Sequence, residues 1–332
     1  MTTGLSDGVL VNSRFTLAAF LRTFPLLAAG GLRPRVLYPC IDTAPPPPPF
    51  PATLPRILLS INRYERKKEV ATALRAYAAA LRELPKAQQQ HWHMVVAGGY
   101  DTRLAENVAH FEELCALAGS LGLLGGEGLQ PVPPGQPLPG GLLPGFAAAP
   151  GPLPYPQALH APRLTFIRSF SDPQKAALLG AASALAYTPP CEHFGIVPLE
   201  CMAAGRPVLC DASGGPLESV LQGATGWLCS GGQAGWDEAV GGLLRAEGGQ
   251  LAAMGRAGVL HVRERFSREA FSLALQGQCR ELVGGGGGGG GAAAAAGWLR
   301  GLLWLLCAVA VGGGAVLAAA VAARVAATLP GA

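Results

Sequence analysis

The sequence predicts an α/β protein built on a doubly wound parallel sheet, and three observations predict it. Short apolar runs, such as 57–61 and 93–97, alternate with segments of helical period, such as 67–84. Strands buried on both faces read as continuous apolar runs rather than as alternating ones. Successive runs are joined through helices, the connection a parallel sheet requires. The polar residues gather just past the ends of the apolar runs, where ligands bind in sheets of this class. Of 332 residues 50% are hydrophobic and 14% charged, too apolar for a disordered chain. A formal charge of +4 is too weak to argue for nucleic acid. The eight cysteines form no C-x-x-C pair, so a zinc site or a small disulfide framework is not expected, and the thiols read as reduced.

The elements follow in order. The first residues are polar and lack an apolar h-region, so no signal peptide is expected. A strand is expected at 8–12, Ser13 as a helix N-cap, a helix at 15–24 and a strand at 35–38. These make residues 1–44 a remnant of a domain. Pro45 to Pro49 begin a stiff connector, 45–55. The main domain is expected at 56–283. It opens with the strand at 57–61 and a helix at 67–84 carrying Val70, Leu74, Tyr77 and Leu81 on one stripe. A strand at 93–97, a helix at 104–121 and a strand at 164–167 come next. Ser171 and Gln174 have capping-box spacing and open a helix to 179. Strands at 184–187, 208–210 and 226–228 alternate with helices at 197–204 and 215–222. Helices at 234–245, 248–258 and 267–282 close the domain.

Residues 123–160 break the pattern. They are rich in Pro, Gly and Leu and carry Glu127 as their one charged residue. They read as a disordered low-complexity insertion, with a membrane-touching loop as the alternative. A Gly/Ala linker occupies 284–297. Residues 301–323 have no charged residue, and 298–324 read as a transmembrane helix with Trp298, Arg300 and Arg324 at its ends. A buried helix is the other reading of that segment.

Three clusters carry candidate chemistry. Asn62 to Lys68 (N-R-Y-E-R-K-K) follows the first strand of the main domain. Cations at a helix start oppose the macrodipole, so Arg63 and Lys68 read as an anion site suited to a diphosphate. Glu192 and Glu200 are spaced E-x7-E around the segment Phe194, Gly195, Ile196 and Val197. Those four residues can offer backbone N–H groups near a helix N-terminus, and the carboxylates can accept from sugar or ribose hydroxyls. Glu200 could equally complement the helix dipole. Ser213 to Glu218 (S-G-G-P-L-E) follows a later strand. Gly214 and Gly215 would let backbone approach a ligand, or form an ordinary βα turn. His91 and His93 lack metal partners in sequence and read as core or surface residues.

The strings S-I-N-R-Y-E-R-K-K (60–68), V-A-G-G-Y-D (96–101), E-H-F-G-I-V-P-L-E (192–200) and S-G-G-P-L-E-S (213–219) resemble the α-1,3/1,6-mannosyltransferases of dolichol-linked oligosaccharide assembly, which are retaining GT-B glycosyltransferases. The likeness covers roughly 8–42, 56–122 and 162–282. It implies a GT-B C-terminal Rossmann-like domain. It implies transfer of mannose from GDP-mannose to a dolichol-diphosphate-linked acceptor bearing two GlcNAc and one mannose, by an α-1,3 and then an α-1,6 bond. No bound metal or other cofactor is implied. Arg63 and Lys68 would hold the diphosphate and stabilise the leaving GDP. Glu192 would bind donor-sugar hydroxyls and Glu200 the ribose, with the amides of 194–197 facing phosphate or sugar. The setting implied is the endoplasmic reticulum membrane, globular domain toward the cytosol, beside other glycosyltransferases of the pathway and away from nucleic acid. Residues 1–42 match only the end of the family's N-terminal domain, so the remainder of that domain is expected to be missing from these 332 residues. A non-catalytic, membrane-anchored nucleotide-sugar-binding subunit is the alternative, and another donor on the same fold a third reading.

Overall fold

The computed structural model describes residues 8–30, 32–45, 47–52, 55–149 and 153–284. The described residues divide into two compact units: 8–11, 17–37 and 272–284 form one, and 12–16 with 38–271 the other. Through both, the elements run β1 (Leu10–Val11), α1 (Arg14–Thr23), α2 (Pro25–Ala29), β2 (Arg35–Val36), β3 (Arg56–Ile61), α3 (Val70–Glu83), α4 (Lys86–Gln89), β4 (Trp92–Gly98) and α5 (Ala105–Ser120). Then come β5 (Gln130–Val132), β6 (Ala158–Ala161), β7 (Leu164–Arg168), α6 (Asp172–Ala181), β8 (Ala184–Tyr187), α7 (Ile196–Ala203), β9 (Val208–Asp211), α8 (Pro216–Ser219) and β10 (Gly226–Cys229). Helices α9 (Gln233–Arg245), α10 (Gly248–Phe266) and α11 (Arg268–Gly284) finish the described chain.

In the smaller unit β1 and β2 pair in parallel, Leu10 opposite Arg35, and Arg35 holds Glu281 at 2.7 Å.

The larger unit is one eight-stranded sheet, ordered β10-β9-β8-β3-β4-β7-β6-β5. The six strands from β10 to β7 are parallel. β3 shows why its apolar run is continuous. Leu58 packs on one face with Leu74, Tyr77 and Leu81 of α3 and Trp236 and Leu243 of α9. Ile57, Leu59 and Ile61 pack on the other with Leu178 of α6, Leu199 and Met202 of α7 and Val262 of α10. Both faces are covered, as a parallel sheet requires.

Three expectations are corrected. The helix expected at 67–84 begins only at Val70, behind a 3-10 turn at Arg66–Lys68 and a left-handed Glu69 with φ 50°. The cations therefore sit outside α3 and do not oppose its dipole. The helix expected to stop at 258 runs on to Phe266, with Val262 and Phe266 buried. Residues 123–160, expected to be disordered, supply β5 and β6, which add antiparallel strands beyond β7. Leu138, Leu142, Leu143 and Phe146 are buried in the same core as Ile57 and Leu59. The low charge of this segment reflects burial: Leu138, Leu142, Leu143 and Phe146 cover one face of the sheet.

Among the described residues no helix is long and apolar enough to cross a membrane. The expected span at 298–324 and residues 285–297 of the linker lie outside them, as does Cys307. Cys201, Cys210 and Cys229 are buried free thiols, and burial pushes those of Cys201 and Cys229 up to about 12.

Candidate functional site

From β3 the chain builds β4 and β7 to one side, then crosses back to lay β8, β9 and β10 on the other. The order reverses between β3 and β8. A crevice past the carboxyl ends of two such strands is where doubly wound sheets bind ligands. Asn62 to Lys68 leave β3 at that point, and Thr188 to Glu192 leave β8.

The structure brings Lys68 and Glu192 together: Nζ lies 2.5 Å from Oε2, with 14% and 24% of the two side chains exposed. The Tyr187 hydroxyl lies 3.4 Å from the same oxygen. Burial by itself raises the carboxyl pKa of Glu192. The hydrogen bond and charge of Lys68, with smaller help from the His193 N–H and Tyr187, outweigh it and hold the group below its ordinary value. Arg63 is not part of this pair. Its side chain is 66% exposed, and Nη1 lies 3.1 Å from Oε1 of Glu65, whose other oxygen holds Lys67 at 3.0 Å.

The segment from Phe194 to Val197 enters α7. Gly195 is its N-cap, at φ 83°, and the opening N–H groups of a helix, here at Ile196 and Val197, have no intrahelical acceptor. Pro198 falls inside the first turn, where it needs no partner. The Phe194 ring is buried, stacked on Tyr38 at 5.9 Å, so this residue can offer a ligand only its backbone. Glu200 sits one turn further on. Its Oε1 holds Lys175 of α6 at 2.6 Å, while Oε2 is buried without a partner.

Gly214 and Gly215 serve neighbouring backbone first. A Cβ on Gly214 would lie 2.3 Å from the Glu192 carbonyl oxygen, and one on Gly215 2.3 Å from Phe194 backbone. The Gly215 N–H donates to the Glu192 carbonyl at 2.8 Å. The glycines thus let their loop pack closely against the E-x7-E segment. Glu218 also binds neighbouring chain rather than open space. It accepts from the N–H groups of Arg14 and Phe15 and from the Tyr38 hydroxyl, each at 2.9 Å. Ser13 caps α1 as expected, accepting from the Thr16 N–H at 2.9 Å. Its hydroxyl donates to the His193 carbonyl.

Sequence reasoning missed Tyr187, Thr188, Glu65 and Lys175. Tyr187 and Thr188 were visible as the polar end of an apolar strand, and Glu65 as a lone acid among cations. Lys175 is 25 residues from Glu200 and carried no local signal.

A parallel sheet with a cation–carboxylate pair and a helix N-terminus at its switch point is the ligand-binding arrangement of a doubly wound, GT-B-like α/β fold. Residues 157–258 match the family described as glycosyl transferases group 1. The chain is similar to the α-1,3/1,6-mannosyltransferase ALG2 of Homo sapiens, 39% identical over 294 residues, 85% of this chain and 60% of the human protein. The Saccharomyces cerevisiae ALG2 is 32% identical over 84% of this chain and 54% of its own length. The chain thus spans little more than half of these curated relatives. Among solved structures, the sucrose-phosphate synthase of Thermosynechococcus elongatus has a TM-score of 0.61 at 21% identity, covering 84% of this chain and 59% of that one. Anabaena HepE in complex with UDP and glucose has a TM-score of 0.59 at 17% identity, covering 83% and 63%. At these identities the likeness concerns the fold.

Proposed function

We propose that this chain carries the donor-binding half of an enzyme that moves mannose from GDP-mannose to a dolichol-diphosphate-linked Man1GlcNAc2 acceptor, by an α-1,3 and then an α-1,6 bond. The observation that carries the reading is the Lys68–Glu192 pair at the switch point, beside the N-terminal amides of α7. The relatives named α-1,3/1,6-mannosyltransferase support it. In the step proposed, the bond between mannose C1 and the β-phosphate oxygen breaks, and its electron pair leaves with GDP. A bond from C1 to the acceptor hydroxyl oxygen forms on the same face, and the hydroxyl proton ends on the departing diphosphate or in solvent. Negative charge grows on the diphosphate, where Lys68, Arg63 and the amides of Ile196 and Val197 stabilise it without reorganising. Glu192, kept ionised by Lys68, accepts from sugar hydroxyls. Glu200 accepts from the ribose hydroxyls. No bound metal is proposed, because these cations and amides supply the charge. The proposed setting is the cytosolic face of the endoplasmic reticulum membrane, alongside other glycosyltransferases of the pathway.

The test is calorimetric titration of the purified chain with GDP-mannose, UDP-glucose and ADP-glucose, followed by transfer to a phytanyl-diphosphate Man1GlcNAc2 acceptor. GDP-mannose is expected to bind at least about tenfold more tightly than the other two donors, a difference of about 1.4 kcal/mol. Equal binding of all three would overturn the donor assignment.

A further inference from the structure

The Lys68–Glu192 pair joins two loops and has no helix or strand of its own to stand on. Lys68 closes the 3-10 turn at Arg66–Lys68, and Glu69 turns left-handed before α3 begins. The Lys68 carbonyl thus lies outside the α3 ladder. It accepts a hydrogen bond from the Thr188 hydroxyl at 2.6 Å. Thr188 is 2% exposed and sits directly past the end of β8. The preceding residue, Tyr187, is the last of β8. Its ring lies against Gly195, where a Cβ would come within 3.2 Å of it, and its hydroxyl reaches Oε2 of Glu192. Successive residues of a strand point to opposite faces. Two neighbours at one strand end therefore grip the two members of the pair separately: Thr188 holds Lys68 through its backbone, and Tyr187 holds Glu192 through its carboxylate. Lys68 and Tyr187 both fall on Oε2, and among the described residues no side chain donates to Oε1.

We infer that Tyr187 and Thr188 are positioning residues that fix the Lys68–Glu192 geometry and leave Oε1 of Glu192 toward the ligand. The inference rests on the donor-binding reading above for its consequence, though not for its geometry. Thr188→Val keeps the shape and deletes the hydroxyl; Thr188→Ser restores it; Tyr187→Phe keeps the ring. GMP is the discriminating probe, because it carries neither the β-phosphate nor the sugar that the pair would meet.

The experiment measures GDP-mannose and GMP affinity by calorimetry, and the titration of the Glu192 carboxyl carbon by NMR. Thr188→Val is expected to weaken GDP-mannose about tenfold and to leave GMP within about twofold, the scale of losing one buried hydrogen bond to a backbone carbonyl. Thr188→Ser is expected to recover wild-type affinity. In both Thr188→Val and Tyr187→Phe the Glu192 midpoint is expected to rise, because burial persists while its donors loosen. Unchanged GDP-mannose affinity in a folded Thr188→Val protein, an equal loss for GMP, or failure of Thr188→Ser to restore binding would overturn the inference. If Thr188→Val does not fold, Tyr187→Phe decides: a Glu192 midpoint equal to wild type overturns it. If the wild type binds no GDP-sugar, the donor reading fails, and the Glu192 titration still judges the positioning.

Discussion

Two lysine–glutamate pairs lie at the two ends of the E-x7-E segment, and they are built differently. Lys68–Glu192 joins two loops that leave adjacent strands, at 2.5 Å. Among the described residues, every side-chain donor to its carboxylate falls on one oxygen, and Thr188 fixes the lysine from behind. Lys175–Glu200 joins two helices, at 2.6 Å, and leaves Oε2 of Glu200 buried with no donor. Each pair leaves one carboxylate oxygen with no side-chain donor among the described residues, Oε1 of Glu192 in the first and the buried Oε2 of Glu200 in the second. A buried acceptor without a donor costs free energy unless something supplies one, and of the two pairs only the second carries that cost among the described residues. In the function proposed above, the first pair meets the diphosphate and sugar, and the second the ribose.

The largest effect that would break this contrast belongs to Lys68. Lys68→Ala removes a cation from the diphosphate and leaves Glu192 part-buried and unpaired. GDP-mannose affinity is expected to fall at least about a hundredfold, the scale of a lost charge-assisted contact. GMP should be nearly unaffected. A loss shared equally by GMP and GDP-mannose would place Lys68 at the nucleoside instead.

Glu200→Ala is expected to give the opposite signature. Ribose is common to both ligands, so calorimetry should show about a tenfold loss for GMP and GDP-mannose alike, the magnitude of hydrogen bonds to a charged acceptor. If only GDP-mannose weakens, the two glutamates share one role and the contrast collapses.

The third glutamate of these motifs sharpens it as a control. Glu218 accepts two N–H groups at the start of α1 and a phenol, which is a capping role. Glu218→Ala is expected to lower urea stability by about 1–2 kcal/mol and to leave GDP-mannose affinity within about twofold. A donor-affinity loss without a stability loss would move Glu218 into the site.

How much of this was legible in the sequence depends on the range of the interaction. The strand run at 57–61 and the capping box at Ser171 and Gln174 were readable because their causes are local. Lys68 and Glu192 were readable as candidates because a cation cluster and an E-x7-E spacing stand out in one dimension. Their pairing was not, since it depends on β8 returning beside β3 after 124 residues. The packing of Leu138, Leu142, Leu143 and Phe146 was hidden for the same reason. Among prolines and glycines they have no period, and only the sheet surface beyond β7 gives them something to cover. The packing of the glycines at 214 and 215 against Glu192 and Phe194 was not legible either, because sequence does not say which backbone comes near.

The smallest effect concerns acid, and it tests the first pair on its own. Glu192 titrates below its ordinary value in the folded chain. Its contribution to stability is therefore complete above the unfolded carboxylate pKa, about 4.3, and is lost as pH falls through the folded value. The difference in urea stability between wild type and Glu192→Gln should be constant from pH 7 to pH 5 and shrink below that. A larger background runs beneath it. His93 is buried, stacked on His160 at 5.4 Å and bonded to Thr165 at 2.9 Å. Burial, with help from His160, lowers its pKa to about 3. The unfolded chain takes up that proton near pH 6.5, so stability should fall by up to about 1.4 kcal/mol for each pH unit below it, down toward pH 3. Wild type and Glu192→Gln share this slope, and subtracting one curve from the other removes it. A difference curve that already declines between pH 7 and pH 5 would mean that Glu192 is not held ionised by Lys68, and that the two pairs are less distinct than their geometry indicates.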